Sequence, residues 1–317
     1  MNKIFVFGVV LLTAGVAFAL QKAEALRGAW VPAEVADGVF VIHGPTELPS
    51  PDNQGFMNNP AFVVSDKGVV VIDPGSSVQV GEMVLARIER VTDKPVLAVF
   101  NSHVHGDHWL GNQAIRAKYP DVPIYGHERV GPRVVAGAGT QWIELMLNMT
   151  QNATAGTEIV KPDNPVVDGD VIEVDGLSYA VMNNDKAHTD TDIMVYIAQR
   201  GVIFLGDNAG HQRILRLEGG SFPGNVEALN NALATEASVF IPGHGPTGGR
   251  EVAERYRAYM NTVYSTAQAG VDEGLADFEL RPLLLPKLEP WKDWAGFETE
   301  LGGHISAAYL EAEAAAF

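Results

Sequence analysis

Beyond an uncharged run near the N-terminus, apolar residues along this chain come in short β-type bursts that alternate with stretches of helical spacing. Residues 62–64 and 69–72 flank Asp66-Lys67-Gly68, a turn sequence, and predict a β-hairpin. Val80, Val84, Ile88 and Val91 recur every three or four positions after Ser76 and Ser77, which predicts a capped helix over 76–91. Residues 97–100 form an apolar strand that opens into Asn101-Ser102-His103, and Ile124-Tyr125 is a shorter strand running to His127. Further strands are predicted over 171–174, 179–182, 193–197, 202–205 and 239–241, and helices over 108–118, 142–149, 226–235 and 250–269. Strands and helices in alternation, with polar residues gathered at strand ends, predict a layered α/β protein.

Two stretches break this rhythm. Residues 43–60 are rich in Pro and Asn and predict a long loop of the kind that carries function. Residues 275–317 place Trp291, Trp294, Phe297, Leu301 and Ile305 at helical spacing, which predicts a terminal helix covering core, weakened at Gly302-Gly303. At the other end, Lys3 precedes an apolar run that closes on Ala17-Phe18-Ala19. That pattern predicts a signal peptide over 1–19, cleaved after Ala19, and export to a periplasm-like compartment. The run is marginal for the roughly 20 apolar residues of a membrane span, so no permanent anchor is expected. The expected organisation is signal 1–19, catalytic domain 20–270 and a helical extension over 271–317.

Composition narrows the function. Hydrophobic residues make up 46% of the chain and charged residues 19%, which excludes wholesale disorder. The net charge of −17 argues against nucleic acid, whose phosphates are bound by Lys and Arg, and leaves a small molecule as the expected partner. The absence of cysteine excludes disulfides, thiolate metal ligands and a cysteine nucleophile.

The chemistry concentrates at His103-Val104-His105-Gly106-Asp107-His108, which puts three imidazoles and a carboxylate at one strand end. Side chains alternate along an extended backbone, so His103 and His105 share a side; Gly106 then permits a sharp turn that brings Asp107 and His108 near. Imidazole with carboxylate suits a borderline divalent cation, with zinc the default. Three later segments offer more ligands: His188, Asp207 in Gly206-Asp207, and His244 in Pro242-Gly243-His244-Gly245.

With these residues, and Ile72-Asp73-Pro74-Gly75 upstream, the sequence resembles exported members of the metallo-β-lactamase superfamily from about Phe62 to His244. The resemblance implies a four-layer αββα sandwich with two divalent ions, zinc before iron or manganese, in a cleft at one edge of its sheets. It implies His103, His105 and His188 on one ion, Asp107, His108 and His244 on the other, Asp207 bridging, and Asp73 in support behind them. It also implies hydrolysis of an ester, thioester, lactone or amide by a metal-bound hydroxide that Asp107 orients. An aspartate at the bridging position marks thioesterase, lactonase, sulfatase and phosphodiesterase-like members, whereas β-lactamases carry cysteine or serine there. β-Lactamase activity is therefore the weaker alternative, with His211 and Arg213 as stand-ins for the missing carboxylate clamp. An iron-dependent redox enzyme of the same fold is another alternative. Trp142, with Ile143 and Met146 beside it, is expected to pack as a core stripe or to wall the cleft, and His127 is a candidate for its rim. His43 and His304 are expected to be structural.

Overall fold

In the computed structural model, Leu26 and residues 30–316 are described; the expected signal peptide lies outside the described residues. Among the described residues, twelve strands form two sheets. The first runs in the order β1 (Ala33–Ala36), β2 (Val39–Val41), β3 (Ala61–Val64), β4 (Val69–Ile72), β5 (Val96–Asn101), β6 (Ile124–His127), β7 (Asn164–Val166). Its strands are antiparallel from β1 to β4 and parallel from β4 to β7. The second contains β8 (Val171–Val174), β9 (Leu177–Met182), β10 (Met194–Ile197), β11 (Val202–Gly210) and β12 (Val239–His244), with only β11 and β12 parallel.

Strand alternation builds the layers. In β4, Val70 and Ile72 face the second sheet, whereas Val69 and Val71 face the helices outside; both faces are covered, so all four are buried. β11 repeats the pattern with Val202 and Phe204 inward and Ile203 and Leu205 outward. Between the sheets Phe100 stacks on Tyr125 of its own sheet (4.9 Å) and on Tyr179 of the other (5.3 Å). Helices α1 (Val78–Val91), capped by the Ser77 hydroxyl, and α3 (Asn112–Lys118) cover the first sheet. Beyond the short α2 (Gly106–Trp109) and α4 (Val130–Arg133) comes α5 (Gly139–Met149). The second sheet is covered by α6 (Phe222–Ala234), α7 (Glu251–Asp272) and, past the short α8 (Arg281–Leu284), by α9 (Phe297–Ala315). The result is an αββα sandwich. Among the described residues no helix is long and apolar enough to cross a membrane.

Several elements differ from their sequence pattern. The single helix expected over 108–118 is two, because Leu110-Gly111 breaks it where Gly111 passes against the Pro74 carbonyl. β11 continues past Leu205 to Gly210 through two register shifts, so Asp207 lies within an irregular strand rather than beyond its end. In the last segment Trp291 and Trp294 precede α9, which runs unbroken through Gly302-Gly303 because Leu301, Ile305, Ala308 and Ala312 anchor it in the core. The 142–149 stripe packs only in part: Met146 is buried in a small cluster with Trp109 and Leu110, and Trp142 and Ile143 lie half-buried against it. Strands β2 and β7, of three residues each, are too short to leave a pattern of their own, and β1 is largely exposed with a single apolar branched residue.

Candidate metal centre

Four segments meet at one edge of the sandwich. β5 delivers Asn101, whose buried side chain exchanges amide hydrogen bonds with Asn112 at 2.7 and 3.2 Å and so fixes the turn into α2 and α3. His103 and His105 follow on a bend rather than the expected extended chain, pinned between them by the Val104 N–H donating to Thr191 Oγ1 (3.0 Å). Gly106 then starts α2 beneath α5; a Cβ there would lie 2.7 Å from Trp142 Cβ. Asp107 and His108 ride on α2. His188 comes from the loop after β9, held where Thr189 donates both N–H and Oγ1–H to the Asp192 carboxylate, each at 2.7 Å. Asp207 follows Gly206, whose φ of +52° suits glycine, and His244 ends β12. Gly243 must be glycine for closeness: a Cβ there would sit 2.0 Å from Asp207 Oδ1.

The seven side chains form two sets, His103, His105, His188 and Asp207 in one and Asp107, His108 and His244 in the other, with donor atoms within 4.8 Å of one another in each. Asp207 lies between them: its Oδ2 is 3.6 Å from His188 Nε2 and 3.4 Å from His244 Nε2, and its Oδ1 is 3.3 Å from His108 Nε2. Asp107 Oδ2 is 3.4 Å from His108 Nε2 and 3.2 Å from His244 Nε2. In the first set His105 Nδ1 and His188 Nε2 are 3.1 Å apart.

The far edges of three rings are tied down. His108 Nδ1 donates to Asp73 Oδ2 (2.8 Å), and His244 Nδ1 donates to the Met57 carbonyl (2.8 Å). Ser102 Oγ donates to Asp73 Oδ2 (2.6 Å) and therefore accepts from His103 Nδ1, 3.0 Å away. Each bond leaves Nε2 unprotonated and facing the centre. His103 Nε2, His108 Nε2 and Asp207 Oδ1 are buried there without any hydrogen-bond partner. Orphaned buried lone pairs of this kind are costly, and a shared cation satisfies them; the donor set fits divalent metal.

Electrostatics separate the sets. Burial holds His103 well below the ordinary imidazole range, with His108 and His105 adding to it, and holds His188 down to about 3. His105 is lowered by burial against the pull of Asp107 and Asp207. For His108 burial works the other way and is outweighed by Asp107, Asp207 and Asp73, which raise it; Asp207 does the same for His244. Burial alone would raise Asp107 and Asp207, but the His108 and His244 rings hold both carboxyls well below their usual range. The carboxylates are anionic and the first-set imidazoles neutral, as a cation requires, whereas His108 and His244 must give up a proton when one binds.

Of the remaining candidates, Trp142 is half-buried with its ring 5.2 Å from that of His105. Arg213 is buried, with Nη1 3.4 Å from the Nδ1 edge of His244. His211 bonds the Pro246 carbonyl (2.8 Å) and packs on Trp294. His127 accepts from the Arg129 N–H at 3.3 Å, His43 lies 2.9 Å from Thr247 Oγ1, and His304 is buried against Tyr259 and Phe222. Sequence reasoning missed Met57, Asn59, Ser102, Thr191 and Asp192. The run of Asn and Pro before β3 was the signal for the first two; the others carry none.

Fold and site together define an αββα protein with two adjoining His/Asp sets fit to hold metal. The sequence matches the Metallo-beta-lactamase superfamily over residues 54–244, and the chain belongs to that family. It is 24% identical over 225 residues to a linear primary-alkylsulfatase of Pseudomonas sp., covering 61% of this chain and 42% of that one. It is 31% identical over 71 residues to a probable metallo-hydrolase of Streptococcus pyogenes, covering 22% of this chain and 29% of that one. The chain thus spans less than half the length of either relative. Among solved structures, a sec-alkylsulfatase of Pseudomonas sp. superposes with a TM-score of 0.70 at 18% identity, over 92% of this chain and 51% of that one. A metallo-beta-lactamase from Pontibacter korlensis gives 0.58 at 18% identity, over 73% of this chain and 99% of that one.

Proposed function

We propose that this chain is an exported, periplasmic dinuclear zinc hydrolase that cleaves an ester, thioester, lactone or amide bond of a small molecule. The observation that carries the reading is the Asp207 carboxylate, which faces both ligand sets at 3.3 to 3.6 Å and leaves no room for a β-carbon at Gly243. Divalent ions held by the two sets would supply Lewis acidity and lower the pKa of a water towards neutrality. Asp107, anionic and turned between His108 and His244, would orient that water and relay its proton towards the leaving group. Trp142, Ile143 and Met57 offer an apolar wall beside His105 and His244.

A sulfate ester is a second reading. It is favoured by the alkylsulfatase superposition, which takes in 92% of this chain, against 73% for the Pontibacter metallo-beta-lactamase. One zinc-loaded preparation assayed on aryl esters, thioesters, lactones, alkyl sulfates, a penicillin, a cephalosporin and a carbapenem separates the readings. Oxygen or sulfur esters should exceed β-lactams in kcat/KM by at least about tenfold, the size of one absent charge-assisted contact of roughly 1.5–3 kcal/mol. Efficient β-lactam turnover with every ester untouched would overturn the proposal.

A further inference from the structure

Resting on the dinuclear reading, we infer that Asn59, on the loop before β3, is a positioning residue for the second metal: it staples the β12 turn that carries His244, and does not act on the three histidines of the first ligand set. Asn59 is buried, and its polar groups outside its own carbonyl are all engaged. Its side-chain amide donates to the carbonyls of Pro242 (2.9 Å) and Gly245 (2.7 Å), which bracket Gly243-His244. Its backbone N–H donates to the Gly243 carbonyl (2.8 Å), and its Oδ1 accepts from Gly44 N–H (3.1 Å). Two residues earlier, the Met57 carbonyl takes the His244 Nδ1 proton. One short segment thus holds both the backbone and the tautomer of a single ligand.

That backbone has little freedom on its opposite side. Gly243 runs against Asp207 and Gly245 against the His211 carbonyl, so either glycine's Cβ would lie within 2.0 Å of an oxygen. Removing the staple leaves two buried carbonyls without their donor, and the turn must shift to reach water. The three histidines of the first set are held by other means, through Ser102, Thr191 and the Thr189–Asp192 bonds, none of which touches Asn59.

Cobalt titration of the metal-free protein against a chromophoric chelator tests this in the wild type, Asn59→Ala and Asn59→Asp. Aspartate keeps the Oδ1 acceptor but sets a carboxylate oxygen against two carbonyls. In both variants the weaker binding constant, assigned to the three-donor second set, should fall about 10- to 100-fold, the usual cost of losing a group that orients a ligand, while the tighter one of the four-donor set stays within about twofold. The unaltered chain gives an independent readout. Because coupling is reciprocal, exchange of the Asn59 side-chain amide protons should slow when the second ion binds and not when the first does. Equal weakening of both constants would mark Asn59 as a general fold support and overturn the inference, as would unchanged constants or exchange that slows with the first ion. A wild type that takes up a single ion would instead sink the dinuclear reading itself.

Discussion

Asp73 offers a contrast with Asn59, because it supports both halves of the centre at once. Its Oδ2 accepts from His108 Nδ1 (2.8 Å) and Ser102 Oγ (2.6 Å), while Oδ1 accepts from Ser102 N–H (2.7 Å). Ser102 Oγ relays the support to His103 Nδ1, which belongs to the other set. Asp73→Asn is the informative change, since asparagine tolerates the φ of +50° at this position and keeps the bond to Ser102 N–H. Its amide nitrogen, however, cannot accept. Two donors aimed at Oδ2 lose their acceptor, each bond to a charged group contributing roughly 1.5–3 kcal/mol. His108 then has no reason to keep its proton on Nδ1, and the tautomer protonated on Nε2 cannot bind metal. Metal affinity should fall about 10- to 100-fold at both sites, measured by chelator competition, with the far-UV spectrum unchanged. Wild-type affinity at both sites would refute the reasoning. Loss at the second site alone would break the relay through Ser102 and His103.

Two further outcomes are expected. Asp207→Ala should lower bound metal from about two ions per chain as well as turnover, and chelation of the wild type should abolish activity and lower its melting temperature; full occupancy in the variant would make Asp207 a turn residue only. His304, pushed down to about 4 by burial against a smaller opposing pull from the Leu215 carbonyl, stays neutral in the fold while the unfolded chain takes up its proton near 6.5. Stability should therefore fall as pH drops from about 6.5 to 4, by ~3 kcal/mol more than in His304→Asn, which keeps an acceptor for Tyr259. Urea melts at pH 7 and pH 4 measure the difference, and identical pH slopes in the two proteins would refute it.

What the chain determines unaided is local. His103 to His108 lie within six residues, so a bend, rather than the period-two alternation expected, and one glycine suffice to group their side chains. The β3–β4 hairpin and the capped α1 are legible for the same reason, since turn, cap and periodicity are all short-range. Elsewhere tertiary packing decided. The two glycines of α9 were outweighed by anchors in a core the sequence alone does not display. The α5 stripe stayed half-exposed, because which apolar face is covered depends on what packs against it. Asp207 reads as a turn residue until β12 lies beside it and Gly243 makes room. The supports behind the ligands were the least legible: Met57 reaches His244 across 187 positions, and Asn59 reaches Gly245 across 186. A single amide or carbonyl leaves no periodic trace in a sequence, and only the closing of two sheets onto one edge gives it a partner.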